Sequence, residues 1–131
     1  MSEILNDYIL DSVKLALGGN LVSYSNDAFD GQLLMHINSV FTILNQLGVG
    51  PKTLFVANKT STWDEFLTGD SAELRLVKSY VYLRVRLLFD PPSSGFVMDS
   101  IKEQIKEFEY RLNIFVDPGS NATNEQELQN G

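Results

Sequence analysis

The chain has 131 residues, a formal net charge of −7, 44% hydrophobic residues and no cysteine. That length suits one domain with a core of its own, and the apolar content argues against general disorder. The acidic balance disfavours a grip on nucleic-acid phosphates, and the lack of cysteine excludes disulfides and thiolate metal sites.

The N-terminus carries no basic-then-apolar signal pattern, and no apolar run approaches membrane-spanning length, so the expected compartment is the cytoplasm of the producing cell. Residues 2–17 read as a first helix, with Ser2 as its cap and Ile4, Leu5, Tyr8, Ile9, Val13 and Ala16 at helical spacing. Gly18-Gly19 ends it. A second helix is expected over about 28–47, capped by Ser25 or Asp27. Phe29 leads into its stripe of Leu33, Ile37, Val40, Phe41 and Leu44, and Gly48, Gly50 and Pro51 stop it.

The pattern then changes. Thr53-Leu54-Phe55-Val56 has strand-like residues and predicts an extended arm or small hairpin around 52–60, with Leu54, Phe55 and Val56 as its contact residues. Thr62-Trp63-Asp64-Glu65 is a capping-box pattern opening a short helix through Leu67, closed by Gly69.

The central helix is Ser71–Phe89, with Asp70 as cap and Glu73 three residues on. It is apolar on two sides. Leu74, Val77, Val81, Val85 and Leu88 form one stripe; Leu76, Tyr80, Leu83 and Leu87 form another. A surface helix of a small domain needs one such stripe, so the second calls for a further cover, and a neighbouring subunit is the expected one. Only Arg75, Lys78, Tyr82 and Arg86 remain as a polar, basic strip.

Asp90-Pro91-Pro92 ends the central helix, because proline lacks a donor and disfavours a helical residue before it. Ser93 or Ser94 caps the last helix, about 95–115, whose stripe is Val97, Ile101, Ile105, Phe108, Leu112 and Phe115. Two long helices with so short a joint should pack antiparallel. Asp99, Glu103 and Glu107 line up along one face of it. Pairing with Lys102, Lys106 and Arg111 explains that line as a solvated face; the alternatives are the basic strip of a neighbouring subunit or a DNA channel. Residues 118–131 are too polar to fold alone and read as a tail on a domain of 1–117.

No catalytic constellation emerges. His36 is the only histidine and reads as structural. Asp64/Glu65 and Asp70/Glu73 sit where helix N-termini attract carboxylates. No phosphate-cradling glycine pattern is present. Trp63 reads as a core plug beside Phe66 and Leu67, with an interface anchor as the other reading. The fold expected is mainly α: a bundle of four to five helices with the 52–60 arm and an extended tail.

Order and spacing carry a resemblance. The run Leu83-Arg84-Val85-Arg86-Leu87-Leu88-Phe89-Asp90-Pro91-Pro92-Ser93-Ser94, followed by Phe96-Val97 and Ile101-Lys102-Glu103-Gln104-Ile105-Lys106-Glu107, resembles the head–tail connector (adaptor) family of tailed bacteriophages. So does the upstream order: two helices, the second ending in Leu-Gly, an extended segment and the Trp-containing turn. The resemblance covers about residues 3–115. It implies a structural protein without catalysis or cofactor, forming a ring of about twelve subunits. That ring would sit under the capsid portal at the head–tail junction of the virion, extend the DNA channel without specific DNA binding, and bridge to a stopper or tail-completion protein. Arg75, Lys78, Tyr82, Arg86, Asp99, Glu103 and Glu107 are then the candidate subunit-interface residues, and Asn121, Glu125 and Leu128 of the tail the portal-binding ones. The alternative is another all-α assembly protein or a DNA-binding regulator, since short helices joined by tight turns can imitate a helix-turn-helix.

Overall fold

The computed structural model describes residues 7–18 and 27–116. The helices there are α1 (Ile9–Leu17), α2 (Asp30–Gln46), α3 (Trp63–Phe66), α4 (Ala72–Phe89) and α5 (Gly95–Val116). No strand occurs among the described residues; the one β-bridge joins Tyr8 to Thr62. The tail residues Asn121, Glu125 and Leu128, and the caps expected at Ser2 and Ser25, lie outside the described residues.

The stripes read along the chain become the core. Leu33, Ile37, Val40, Phe41 and Leu44 of α2 are all fully buried, as are Ile9, Leu10 and Val13 of α1. After α2, Val49 N–H donates to Leu44 O at 2.9 Å and its side chain is drawn into the core. At Gly50 (φ +90°) a Cβ would collide with the Phe66 ring, so both its conformation and the space allow glycine alone.

Two caps differ from expectation. Ser71, not Asp70, caps α4: its Oγ accepts from Leu74 N–H at 3.0 Å. Asp70 is one residue too early for that bond and instead holds Arg75, Oδ2 to Nη2, at 3.0 Å. Asp27 does not cap α2 through its side chain either; its carbonyl accepts from Asp30 N–H, and the N-cap position is Phe29. Elsewhere the expected devices form. Thr62 and Glu65 make the reciprocal capping box of α3. Ser94 Oγ accepts from Val97 N–H at the start of α5.

Residues 52–60 run as an extended arm, not a hairpin. Asn38 brackets the backbone of Ala57: Nδ2 donates to its carbonyl at 3.0 Å, and its N–H donates to Oδ1 at 2.7 Å. Phe55 enters an aromatic cluster, with ring centroids 5.1 Å from Phe41 and 5.3 Å from Phe66. Leu54 and Val56, the alternate positions, face outward and are exposed. Of the three expected arm contacts, only Phe55 packs inward. The arm ends in a turn where Asn58 Oδ1 accepts from Thr60 N–H, and Ile9 N–H donates to Ser61 O.

α4 is the central helix of the fold, packed on α1, α2 and α5. Leu76 borders the same groove as Ile114, Tyr80 bonds Glu109, and Leu87 borders a groove with Ile105, so α4 and α5 run antiparallel. The second apolar stripe of α4 therefore faces the chain's own last helix: Tyr80 and Leu83 are buried, and Leu76 and Leu87 partly so. Burial of α4 thus gives no reason to invoke a neighbouring subunit, contrary to the expectation from its two stripes. Of the two apolar stripes only Leu88, at the C-terminal end, stays largely exposed.

Candidate assembly surface

The α4–α5 hairpin presents most of the residues of interest, and a polar triad fixes its register. Tyr80 Oη donates to Glu109 Oε2 at 2.6 Å; Arg84 donates through Nε to Tyr80 Oη and through Nη2 to Glu109 Oε2, both at 2.8 Å. Burial pushes the Glu109 carboxyl up, but the hydrogen bonds from Tyr80 and Arg84, with the arginine's charge, outweigh it and hold the group below its ordinary value. Burial, then the bond to Glu109, push the Tyr80 phenol above its ordinary range. The triad is satisfied within itself, so it is a positioning device, not a reactive one.

A second internal pair ties the first two helices. Lys14 Nζ and Asp30 Oδ1 are 2.8 Å apart, and both residues are buried. Neither feature was expected from the sequence, although each left a trace. Lys14 lies three to four residues from Leu10 and Leu17, and Asp30 three to four from Leu33 and Leu34, so each charge falls on an apolar stripe.

The expected interface residues occupy two separate regions. Arg75 is exposed and held by Asp70, whose carboxyl is lowered by the hydrogen bond and charge of that arginine. Lys78 lies over the Trp63 ring at 5.9 Å. Tyr82 is half-buried and lines a cleft of 230 Å³ with Lys78, Trp63 and Ser12. Arg86 is half-buried. On α5, Asp99, Glu103 and Glu107 are exposed. Glu107 pairs with Arg111 at 2.8 Å and Glu103 with Lys106 at 3.8 Å, whereas Asp99 makes no ion pair among the described residues. The structure does not bring the basic strip and the acidic line together within one chain.

Two apolar features lie at opposite ends of the hairpin. Near the Asp90–Ser94 joint, Phe96 is 84% exposed, and Leu88 and Val97 are exposed as well. At the other end, Ala72, Arg75 and Leu76 of α4 and Arg111, Ile114 and Phe115 of α5 line an open groove of 500 Å³. Isolated exposed apolar residues are ordinary, but a phenylalanine this exposed and a groove of this size are contact features.

Three of the four carboxylates at the N-termini of α3 and α4 have structural partners. Glu65 completes the capping box, Asp64 accepts from Gly69 N–H at 3.1 Å, and Asp70 holds Arg75. Trp63 is a core residue whose Nε1 donates to Ser12 Oγ at 2.8 Å. His36 packs partly buried, with Nε2 lacking a hydrogen-bond partner. Among the described residues no group of three or more His, Cys, Asp or Glu is placed to hold a metal ion, and no helix is long and apolar enough to cross a membrane.

Against known families, residues 9–119 match the one described as phage connector protein. The chain belongs to the phage connector protein family. The match begins with the first residue of α1 and runs past the last residue of α5, so the five helices of the described residues, and the arm, lie within it. The head–tail resemblance read from the Asp90-Pro91-Pro92 joint and the amphipathic runs around it is thereby supported over nearly the whole connector. No curated protein and no solved structure matches the chain.

Proposed function

We propose that this connector assembles as a ring of about twelve copies beneath the capsid portal, in closed cyclic symmetry. The ring extends the DNA channel and offers the platform for a stopper or tail-completion protein. It is made in the cytoplasm of the bacterial host and ends at the head–tail junction of the virion. The observation that carries this reading is the family match over residues 9–119. The net charge of −7 is consistent with a conduit through which DNA slides without being held. The role is architectural, with no reaction assigned and no cofactor. Residues 1–117 form the ring domain and 118–131 the portal-directed tail, with Asn121, Glu125 and Leu128 as its contacts. Arg75, Lys78, Tyr82 and Arg86 on one side, and Asp99, Glu103 and Glu107 on the other, belong to the surfaces between copies. Leu54 and Val56 are the outward contacts of the arm.

The deciding experiment is a mass measurement on the connector alone and mixed with purified portal. A ring-sized assembly, alone or on the portal, is expected. A chain that stays monomeric at high concentration and does not join the portal overturns the reading. Reversing charge at Glu103 and Glu107 to lysine is expected to reduce assembly in the same measurement; unchanged assembly removes those two carboxylates from the interface.

A further inference from the structure

We propose that Phe96 of one copy seats in the α4–α5 groove of the next, so that copies meet head to tail along their hairpins. This rests on the self-assembly reading above and names the contact that would drive it. Phe96 has no apolar cover of its own, at 84% exposed, while the groove floor of Leu76, Ile114 and Phe115 has no aromatic filling it from the described residues. A groove of 500 Å³ is ample for one phenyl ring and its neighbours. Eighteen residues separate Phe96 from Ile114 along α5, about 27 Å of helix, so the knob cannot reach its own groove.

Charge points the same way. The knob end carries Asp90 at the end of α4 and Asp99 one turn beyond Phe96, neither of which makes an ion pair among the described residues. The groove is rimmed by Arg75 and Arg111. Those arginines hold Asp70 and Glu107, but both pairs are largely solvent-exposed, and exposed pairs re-partner at little cost. An apolar anchor inside a complementary charged rim is the usual anatomy of a specific interface. Because knob and groove are different patches on one chain, the contact is heterologous. Such contacts close into rings when the rotation between copies allows and otherwise run on as filaments.

The absence of cysteine makes the test direct. Full-length Phe96→Cys and Phe115→Cys chains are mixed, oxidised, and examined both free at high concentration and on purified portal. A disulfide between the two variants is expected, with a ladder of multimers from the double variant. Phe96→Ala should weaken self-association at least about tenfold, as loss of an anchor aromatic does, with Phe96→Leu recovering part of it. Equal cross-linking by Phe96→Cys alone overturns the proposal, since the knob would then meet its own counterpart. An intramolecular disulfide in a Phe115→Cys/Leu128→Cys chain, with none in the mixture, overturns it in favour of the chain's own tail as occupant. No cross-link in an assembly of ring mass removes this contact and leaves the ring standing. No cross-link in a chain that never assembles removes both.

Discussion

Lys14 and Asp30 meet across α1 and α2 with 2.8 Å between Nζ and Oδ1, and only 3% of the lysine side chain is exposed. A charge taken out of water is tolerable while its partner remains, and removing one partner of such a pair is far worse than removing both. Asp30→Ala is therefore expected to destabilise the domain, and by more than the removal of both partners does. Lys14→Met with Asp30→Leu should recover most of the loss. Urea unfolding of the parent chain and the two variants measures this; a loss below about 1 kcal/mol for Asp30→Ala would mean that the lysine charge is held without Asp30.

The Tyr80–Arg84–Glu109 triad makes stability depend on pH at both ends. Glu109 has a depressed folded value, so its contribution is present above the unfolded carboxyl value, about 4.3, and is lost as pH falls through the lower folded one. Tyr80 has a raised folded value. Its contribution is complete below the unfolded value of about 10 and disappears as pH rises through the folded one. Glu109→Gln should flatten the acid limb of the stability curve and cost about 1–2 kcal/mol near neutrality, the group being partly solvated. Thermal melts of both proteins across the acid range provide the check, and identical acid limbs would remove Glu109 from the account.

Asn38→Leu should loosen the arm while sparing the bundle. Both backbone groups of Ala57 lose their partner, at a cost of about 1–3 kcal/mol. Hydrogen exchange should quicken at the Ala57 amide, with the amides in the middle of α4 slowed as before. Uniform quickening would mean that the bracket supports the whole fold.

Two glycines of similar backbone angle should respond differently to alanine. Gly69 (φ +85°) has open space around it, and Gly69→Ala should cost about 1 kcal/mol of backbone strain. At Gly50 the same strain is joined by a collision with the Phe66 ring, so Gly50→Ala should cost at least about 3 kcal/mol and disturb the Phe41–Phe55–Phe66 cluster. Comparable denaturation midpoints for the two variants would show that the ring moves aside freely.

Ending the chain after Asp117 should leave the melting temperature within a degree or two and weaken attachment to purified portal. The stability half follows from the core of the described residues, every member of which precedes that point. Full-strength attachment of the shortened chain would show that the tail has no part in docking.

Periodic features were legible in the sequence because they are repeated. The α2 stripe needs only spacing, and five residues agree on one face. Devices confined to a few neighbours were legible too, such as the Thr62–Glu65 box and the Asp90-Pro91-Pro92 stop. The Asp70/Ser71 choice shows the limit of local reading: both residue types cap helices, and the decision fell to where the first helical turn begins. The pairs that join distant elements left little trace. Asn38 looks like any polar residue on the outer face of α2, and nothing nearby points to Ala57 nineteen residues on. The double stripe of α4 calls for two covers, and the chain's own α1, α2 and α5 supply them, so the stripe alone does not require a neighbouring subunit. A stripe reports that a face is buried, not which element buries it, and α5 reaches the whole length of that face.

The arm has a consequence for whatever comes to lie on it. Phe55 is wedged among rings and Ala57 is clasped on both backbone groups, so the intervening peptide has already lost its freedom on folding. Leu54 and Val56 project from that stiff backing like two teeth on a comb. A surface that meets them need order only side chains, so even a small contact there is not offset by the entropy of freezing a loop.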